Sequence, residues 1–312
     1  MPTPRDAGRL RSALLGTALG DAAGAPFEGH RHVPRHAVER WLGSDAPLTW
    51  TDDTHMALEL AVELARTGGA LDPQQLGDRF ARAYRSEPWR GYGAGPPQVF
   101  AMAEHGVSYV EAAASLFAGT GSFGNGAAMR AAPAGIAAAP SLERAAALAT
   151  VQARVTHAHP EGIDGARVIA TGVVALASAD PGTPPADTLR AVLDHLETAA
   201  LRTPVAQILD ADDADHRIAL AAGGGTGLAA RESVPAAIAA FLAATELRPG
   251  SITEVLISAV GLGGDTDTVA AMAGALAGAH LGTHGLPDHL LRRLEARDRI
   301  EQVAAELVQT TG

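Results

Sequence analysis

Two short acidic segments hold the residues best suited to chemistry. They are Thr51-Asp52-Asp53-Thr54 and Asp265-Thr266-Asp267-Thr268, the second preceded by Gly263-Gly264. Each opens a stretch with helical periodicity. A helix start needs one side-chain acceptor, and Asp and Thr supply it well, so either segment alone is explained by capping. Together they offer more than capping uses: two carboxylates each, flanked by hydroxyls. Adjacent carboxylates repel unless positive charge sits between them. Four aspartates carry −4, which two divalent cations would neutralise. Without Cys in the chain, and with no His required, the ligand atoms are hard oxygens. Such a set suits Mg2+ or Mn2+ over zinc or copper. The segments lie far apart in the sequence, so only the fold can join them.

A glycine-rich run, Gly119–Gly126, contains Gly121-Ser122-Phe123-Gly124-Asn125. Glycines let backbone N–H groups approach a diphosphate, and a helix starting near Ala127 would add its positive end. Ser122 can donate a hydroxyl, Asn125 can bond a phosphate or ribose, and Phe123 offers an apolar surface. A plain interhelical loop explains the same glycines. His157 and His159, two residues apart without a third, make a weak metal set. They read equally well as hydrogen-bonded core or helix-end histidines. Glu28, taken alone, reads as a solvated loop acid.

The elements that must position these residues are helical. Leu76, Phe80 and Tyr84 repeat every four residues, as do Met56, Leu60 and Leu64. Leu189, Val192, Leu193 and Leu196 form one apolar stripe. Ser251 with Glu254 predicts a capping box, Pro287 predicts a helix over Asp288–Arg297, and Gly282 predicts a stop after Val269–Leu281. Alternation of apolar and polar residues is lacking, so strands should be absent or few. Ser178–Asp187 and Leu209–Gly227 read as the flexible segments. Aromatic residues are only 4%, and small residues let helices approach closely. The expectation is an all-α, compact, single-domain fold over residues 1–312, with ten or more helices.

Composition removes several functions. With 24 basic and 35 acidic residues the net charge is −11, against a general nucleic-acid binder. The absence of Cys excludes thiol nucleophiles, disulfides and thiolate metal sites. Every basic residue is Arg; without Lys there is no Schiff base and no phosphate-loop lysine. The apolar run Ala13–Leu19 follows Arg5, Arg9 and Arg11 but is short and meets Gly20-Asp21, so it reads as a first helix. No stretch reaches the ~20 apolar residues of a membrane span. A cytoplasmic protein is expected.

In this order the motifs resemble the ADP-ribosylglycohydrolase family, which includes the dinitrogenase-reductase-activating glycohydrolases and the ADP-ribosyl-acceptor hydrolases. The pieces that carry the resemblance are Gly16–Glu28, Thr51–Thr54, Gly121–Arg130, Thr156-His157 and Gly263–Thr268, with a further stretch over Gly227–Phe241. The resemblance implies an all-α fold with a binuclear Mg2+ or Mn2+ centre in a cleft. It implies Thr51, Asp52 and Asp53 on one ion, Asp265 and Thr268 on the other, and Asp267 bridging both. Glu28 matches a family glutamate beside the metals, His157 becomes a substrate-pocket residue, and Gly91-Tyr92-Gly93 matches a family loop. His55 stands where many relatives carry Gln.

The activity implied is metal-dependent hydrolysis at the distal ribose of an ADP-ribosylated group, releasing ADP-ribose. The acceptor candidates are Arg, Ser, another side chain, a nucleic-acid end or a small ADP-ribosyl metabolite; the −11 charge disfavours a long polyanion. Two cations would clamp ribose hydroxyls and activate water, while Asp52, Asp53 or Glu28 manages the proton. Coordinated carboxylates are poor proton acceptors, which favours Glu28. A dinuclear phosphohydrolase and a non-catalytic ADP-ribose-binding relative are the competing functions. All six expected ligands are present, which argues against the latter.

Overall fold

Small residues decide how closely the helices of this chain can pack. The computed structural model describes residues 3–247 and 250–310. Among these there are seventeen α-helices and no strand, only two isolated bridges, Leu48 with Leu294 and Gly124 with Ala229. The all-α expectation holds.

The chain opens with α1 (Pro4–Gly24), α2 (Arg35–Leu42) and α3 (Asp52–Arg66). Next come α4 (Pro73–Ser86), α5 (Gly95–Glu104) and α6 (Tyr109–Gly119), which lead to the glycine-rich loop. α7 (Ala132–Ala138), α8 (Leu142–Arg154), α9 (Pro160–Ser178) and α10 (Pro185–Leu189) follow. α11 (Ala199–Asp210), α12 (Ala214–Gly224) and α13 (Ala230–Leu247) lie beyond them. The last four are α14 (Ile252–Gly261), α15 (Thr266–Leu281), α16 (Asp288–Leu291) and α17 (Arg297–Val308).

The centre of the fold is α15, buried throughout from Thr266 to Ala279. It packs antiparallel on α1 with backbone against backbone. A methyl at Gly16 would overlap the Gly274 carbonyl, one at Gly20 that of Ala270, and one at Gly24 that of Thr266. From the other side, a methyl at Gly278 would meet the Ser12 carbonyl. The glycines thus recur every four residues, along one helix face. This contact sets the C-terminal end of α1 beside the N-terminal end of α15.

Several local expectations need correction. Ser251 stands at the N-terminus of α14 but makes no side-chain cap; Glu254 instead receives Arg35 Nη2 at 2.9 and 2.8 Å. The helix predicted over Asp288–Arg297 stops after one turn, because Leu48 N–H donates to Arg293 and Glu295 N–H donates to Leu48. Ala296 then turns at φ 53 before α17. Leu209–Gly227 is largely α12, capped by Asp213 and tied down by the buried Arg217, which donates to the carbonyls of Ile208 and Ala211 and pairs with Glu246. The Leu189–Leu196 stripe is split between α10 and a 3-10 helix, Arg190–His195. Gly282 ends α15 with φ 69, as expected. No helix among the described residues is long and apolar enough to cross a membrane.

Candidate active site

The two acidic segments meet. Thr51 precedes α3 and Asp265 precedes α15, so both helices direct their N-terminal ends at one place, where a helix dipole favours negative charge. Of these aspartates, Asp267 receives a helix-start N–H, that of Thr268 at 2.9 Å. Thr51 Oγ1 receives the Asp53 N–H at 3.4 Å, whereas Asp265 makes no cap with its side chain. Thr268 Oγ1 lies 3.4 Å from Asp53 Oδ1 and joins the two segments directly. Asp52, Asp53, Asp265, Asp267 and Thr268 are all buried; Thr51 is half-buried.

Asp21, on α1, is the organising residue that sequence inspection missed. Its fully buried carboxylate receives four donors: Thr51 N–H at 3.0 Å, Thr51 Oγ1 at 2.9 Å, Thr54 N–H at 3.0 Å and Thr54 Oγ1 at 2.5 Å. It thereby fixes the first turn of α3 and turns the lone pairs of Thr51 away from α1. Its position directly after Gly20, inside the Gly16–Glu28 motif, was the available signal.

Backbone pairing also brings Glu28 to the aspartates. Gly29 N–H donates to Gly264 at 2.8 Å, and Gly264 N–H donates to His30 at 2.7 Å. Gly263 and Gly264 have φ 77 and 79, a conformation that side chains disfavour, and a methyl on Gly264 would overlap Thr226. Oxygens of Glu28, Asp265 and Asp267 can all lie within 4.8 Å of one another, close enough to share one cation. Glu28 is exposed, unlike its two neighbours.

The charges are stacked as a cation site requires. Burial, then repulsion from Asp267, pushes Asp21 up to about 7. Burial, then contact with Asp265, pushes Asp267 up to about 7. Asp52 and Asp53 are raised well above the usual aspartate value by burial and then by Asp21 and Asp267, and Asp265 is raised by burial. Glu28 is raised by Asp267 and then by burial. Asp53 Oδ2 is sealed from solvent and has no hydrogen-bond partner among the described residues. A buried carboxylate oxygen without a donor is costly, and a cation is the partner that fits this oxygen-rich set.

Glu28, Asp52, Asp53, Asp265 and Asp267 line a cavity of about 460 Å3, within the range of small-ligand sites, while Asp21 lies behind them. Ser122, Phe123, Gly124, Asn125 and His157 line it as well. Gly121 does not: at φ 73 it packs on the backbone of Ala158 and His159, shaping the loop from behind. Asn125 faces the aspartates. Its amide donates to Asp265 Oδ2 at 2.6 Å and to Ser233 Oγ at 3.0 Å, so its N–H groups hold a proposed ligand. Thr51 also lies behind the lining.

The anion cradle expected near Ala127 is smaller than predicted. Asn125–Ala127 is a single 3-10 turn, and the α-helix that follows begins only at Ala132. Gly124 N–H donates to Ser122 Oγ, and Asn125 N–H to the Leu228 carbonyl. The loop does expose apolar surface. Phe117 is 54% and Phe123 43% exposed, and both line the cavity. Phe117 and Ala118 have φ 52 and 57, unusual for residues with side chains, within a break at the end of α6. Helical periodicity hid Phe117 from sequence analysis.

The remaining candidates separate cleanly. His159 begins α9 and accepts the Glu161 N–H at 3.2 Å, a helix-end role. Tyr92 rests on the core with its hydroxyl 2.9 Å from His55 Nδ1, while Gly91 and Gly93 line the cavity.

Comparison with known proteins agrees with this architecture. The ADP-ribosylglycohydrolase profile matches residues 2–312. The protein named ADP-ribosylhydrolase ARH3 from Mus musculus is 33% identical over 342 residues, covering 97% of this chain and 92% of its own. Its Homo sapiens counterpart is 33% identical over 345 residues, covering 97% and 93%. A solved structure titled ADP-ribosylglycohydrolase-related protein complex superposes with a TM-score of 0.76 at 28% identity, covering 99% of this chain and 100% of that one. The chain belongs to the ADP-ribosylglycohydrolase family, enzymes that hydrolyse glycosidic bonds.

Proposed function

We propose that this enzyme hydrolyses the glycosidic bond at the distal ribose of ADP-ribosylated side chains or related conjugates, releasing ADP-ribose, with two divalent cations, Mg2+ or Mn2+. The observation that carries this reading is Asp53 Oδ2, sealed and unpartnered in a group of acids beside the cavity. Thr51, Asp52 and Asp53 would hold one cation, Asp265 and Thr268 the other, with Asp267 shared. When bound, the cations supply charge that binds ribose hydroxyls and activates water.

The chain's own residues supply the rest. Glu28 accepts the proton of the attacking water; it is the exposed acid of the group, and the Asp267 charge raises its proton affinity. Asp52 and Asp53 orient that water from the α3 side. Asn125 fixes Asp265. Ser122 and the backbone of Gly124 face the sugar–phosphate part of the substrate. Phe117 and Phe123 offer rings to a planar base at the exposed end of the cavity.

Hydrolysis of Arg-, Ser- and O-acetyl-linked ADP-ribose, run side by side with Mg2+, Mn2+ or chelator, tests this function. Release of ADP-ribose that stops with chelator supports it. Release of AMP or phosphate would identify a phosphohydrolase. ADP-ribose binding without cleavage across the panel would identify a binding protein.

A further inference from the structure

Among the described residues Arg130 is the largest fully buried side chain, and its hydrogen bonds go to no carboxylate. Its guanidinium lies 4.6 Å over the Phe80 ring. Nε donates to Gln152 Oε1 at 2.8 Å, and Nη1 approaches Met56 Sδ at 3.4 Å. Nη2 donates to the Gln152 carbonyl at 3.1 Å and to Thr156 Oγ1 at 2.7 Å. A buried cation without a directly bonded counter-ion is costly; here neutral acceptors surround it and the Asp52 charge acts on it through space. Burial pushes it down to about 9, which leaves it cationic at neutral pH.

Arg130, Thr156 and His157 all border the cavity, and the contact with Thr156 links the first to the last. Thr156 Oγ1 lies 2.8 Å from His157 Nδ1 and is fully buried. Arg can only donate, so one lone pair of Oγ1 is taken. The Thr156 hydrogen has one acceptor among the described residues, His157 Nδ1. Were Nδ1 to carry the proton, Oγ1 would accept twice and its own hydrogen would be buried without a partner, a cost of about 1–3 kcal/mol. The imidazole is therefore fixed with Nδ1 as acceptor and Nε2 protonated. Burial, then the Arg130 charge, pushes His157 down to about 3, so it stays neutral.

Nε2 has no partner among the described residues. It lies under the glycine loop: a methyl on Gly126 would come within 3.1 Å of it, and one on Gly124 within 3.5 Å. Absence of side chains at these two positions leaves the Nε2 edge open to the cavity.

We propose that Arg130 is a positioning residue, which acts through Thr156 to hold His157 as a neutral Nε2–H donor aimed at an oxygen of the bound ADP-ribosyl group. This rests on the ADP-ribosyl reading of the cavity only for the identity of that oxygen's owner. Gln152 completes the arrangement, since its Nε2 donates to the Ala127 carbonyl at 2.8 Å and ties the glycine loop to the same cation.

The test is long-range 1H–15N spectroscopy of the histidine-labelled full chain without ligand, with His157→Gln to assign the signal. Wild type should show Nδ1 unprotonated and Nε2 protonated. Thr156→Val keeps the shape and leaves Arg130 in place; it should give a mixed tautomer and about ten-fold weaker ADP-ribose binding. Thr156→Ser should restore both. A protonated Nδ1 in wild type, or an unchanged tautomer in Thr156→Val, overturns the proposal. Failure of wild type to bind ADP-ribose overturns the ADP-ribosyl reading instead, while the ligand-free tautomer still decides whether the Arg130–Thr156 pair orients His157.

Discussion

Thr268 and Asp53 touch, 3.4 Å apart, although 215 positions separate them in the chain. The contact follows from the α1–α15 packing, which delivers Asp267 and Thr268, and from Asp21, which delivers Asp52 and Asp53. The meeting of the two acidic segments thus depends on a helix that carries none of the six proposed ligands.

Asp267 is assigned to both cations, so Asp267→Ala should remove both and reduce turnover to background. Calorimetric titration with Mn2+ checks this. An unchanged stoichiometry would reject the shared role.

Glu28 is assigned to the proton and not to structure. Glu28→Gln keeps the shape and should preserve metal stoichiometry, while kcat falls by about 10²–10⁴-fold. Loss of a cation in this variant would make Glu28 a ligand instead, consistent with its nearness to Asp265 and Asp267.

Asp21 acts one layer behind the ligands. Replacing it with Asn swaps one acceptor for a donor facing four donors. Metal affinity should drop by about 10–100-fold, with helical content unchanged by circular dichroism.

The glycine seam gives a stability prediction with an internal control. Gly20→Ala would drive a methyl into the Ala270 carbonyl, so it should destabilise by about 1–3 kcal/mol. Gly8 lies on the same helix with nothing within 4 Å of an added methyl. Gly8→Ala should stabilise by about 0.5–1 kcal/mol through helix propensity. Thermal melts of the two variants should move in opposite directions.

The acid cluster also predicts how the metal-free protein responds to pH. Asp21 and Asp267 are raised from 3.8 to about 7, so the folded chain binds more protons than the unfolded chain between those values. Stability from these groups is greatest below the unfolded value and is lost as pH rises through about 7. Metal-free protein should melt lower at about pH 8 than at about pH 6, and Mg2+ or Mn2+ should raise the melting temperature more at the higher pH.

Much of this was legible in the residues. The paired aspartates announced themselves because capping leaves the second carboxylate unused, and the helices by their apolar periodicity. Other features depend on partners distant in sequence. Asp288–Arg297 has helical signals, yet Leu48 claims its backbone. Leu209–Gly227 has loop composition, yet Arg217 finds carbonyls to bind. Asn125 lines the cavity, but that its amide N–H groups bind Asp265 and Ser233 depends on residues more than a hundred positions away. Phe117 looked like one more helix residue until its backbone broke. Asp21 and Arg130 gain meaning only from what surrounds them in the folded chain.

The most direct measurement is anomalous scattering from crystals of the protein grown with Mn2+. Two peaks about 3.5–4 Å apart, flanking Asp267 and reached by Asp53 on one side and Asp265 on the other, are the expected result. Crystals that hold Mn2+ elsewhere, or none between these aspartates at saturating concentration, would contradict the account.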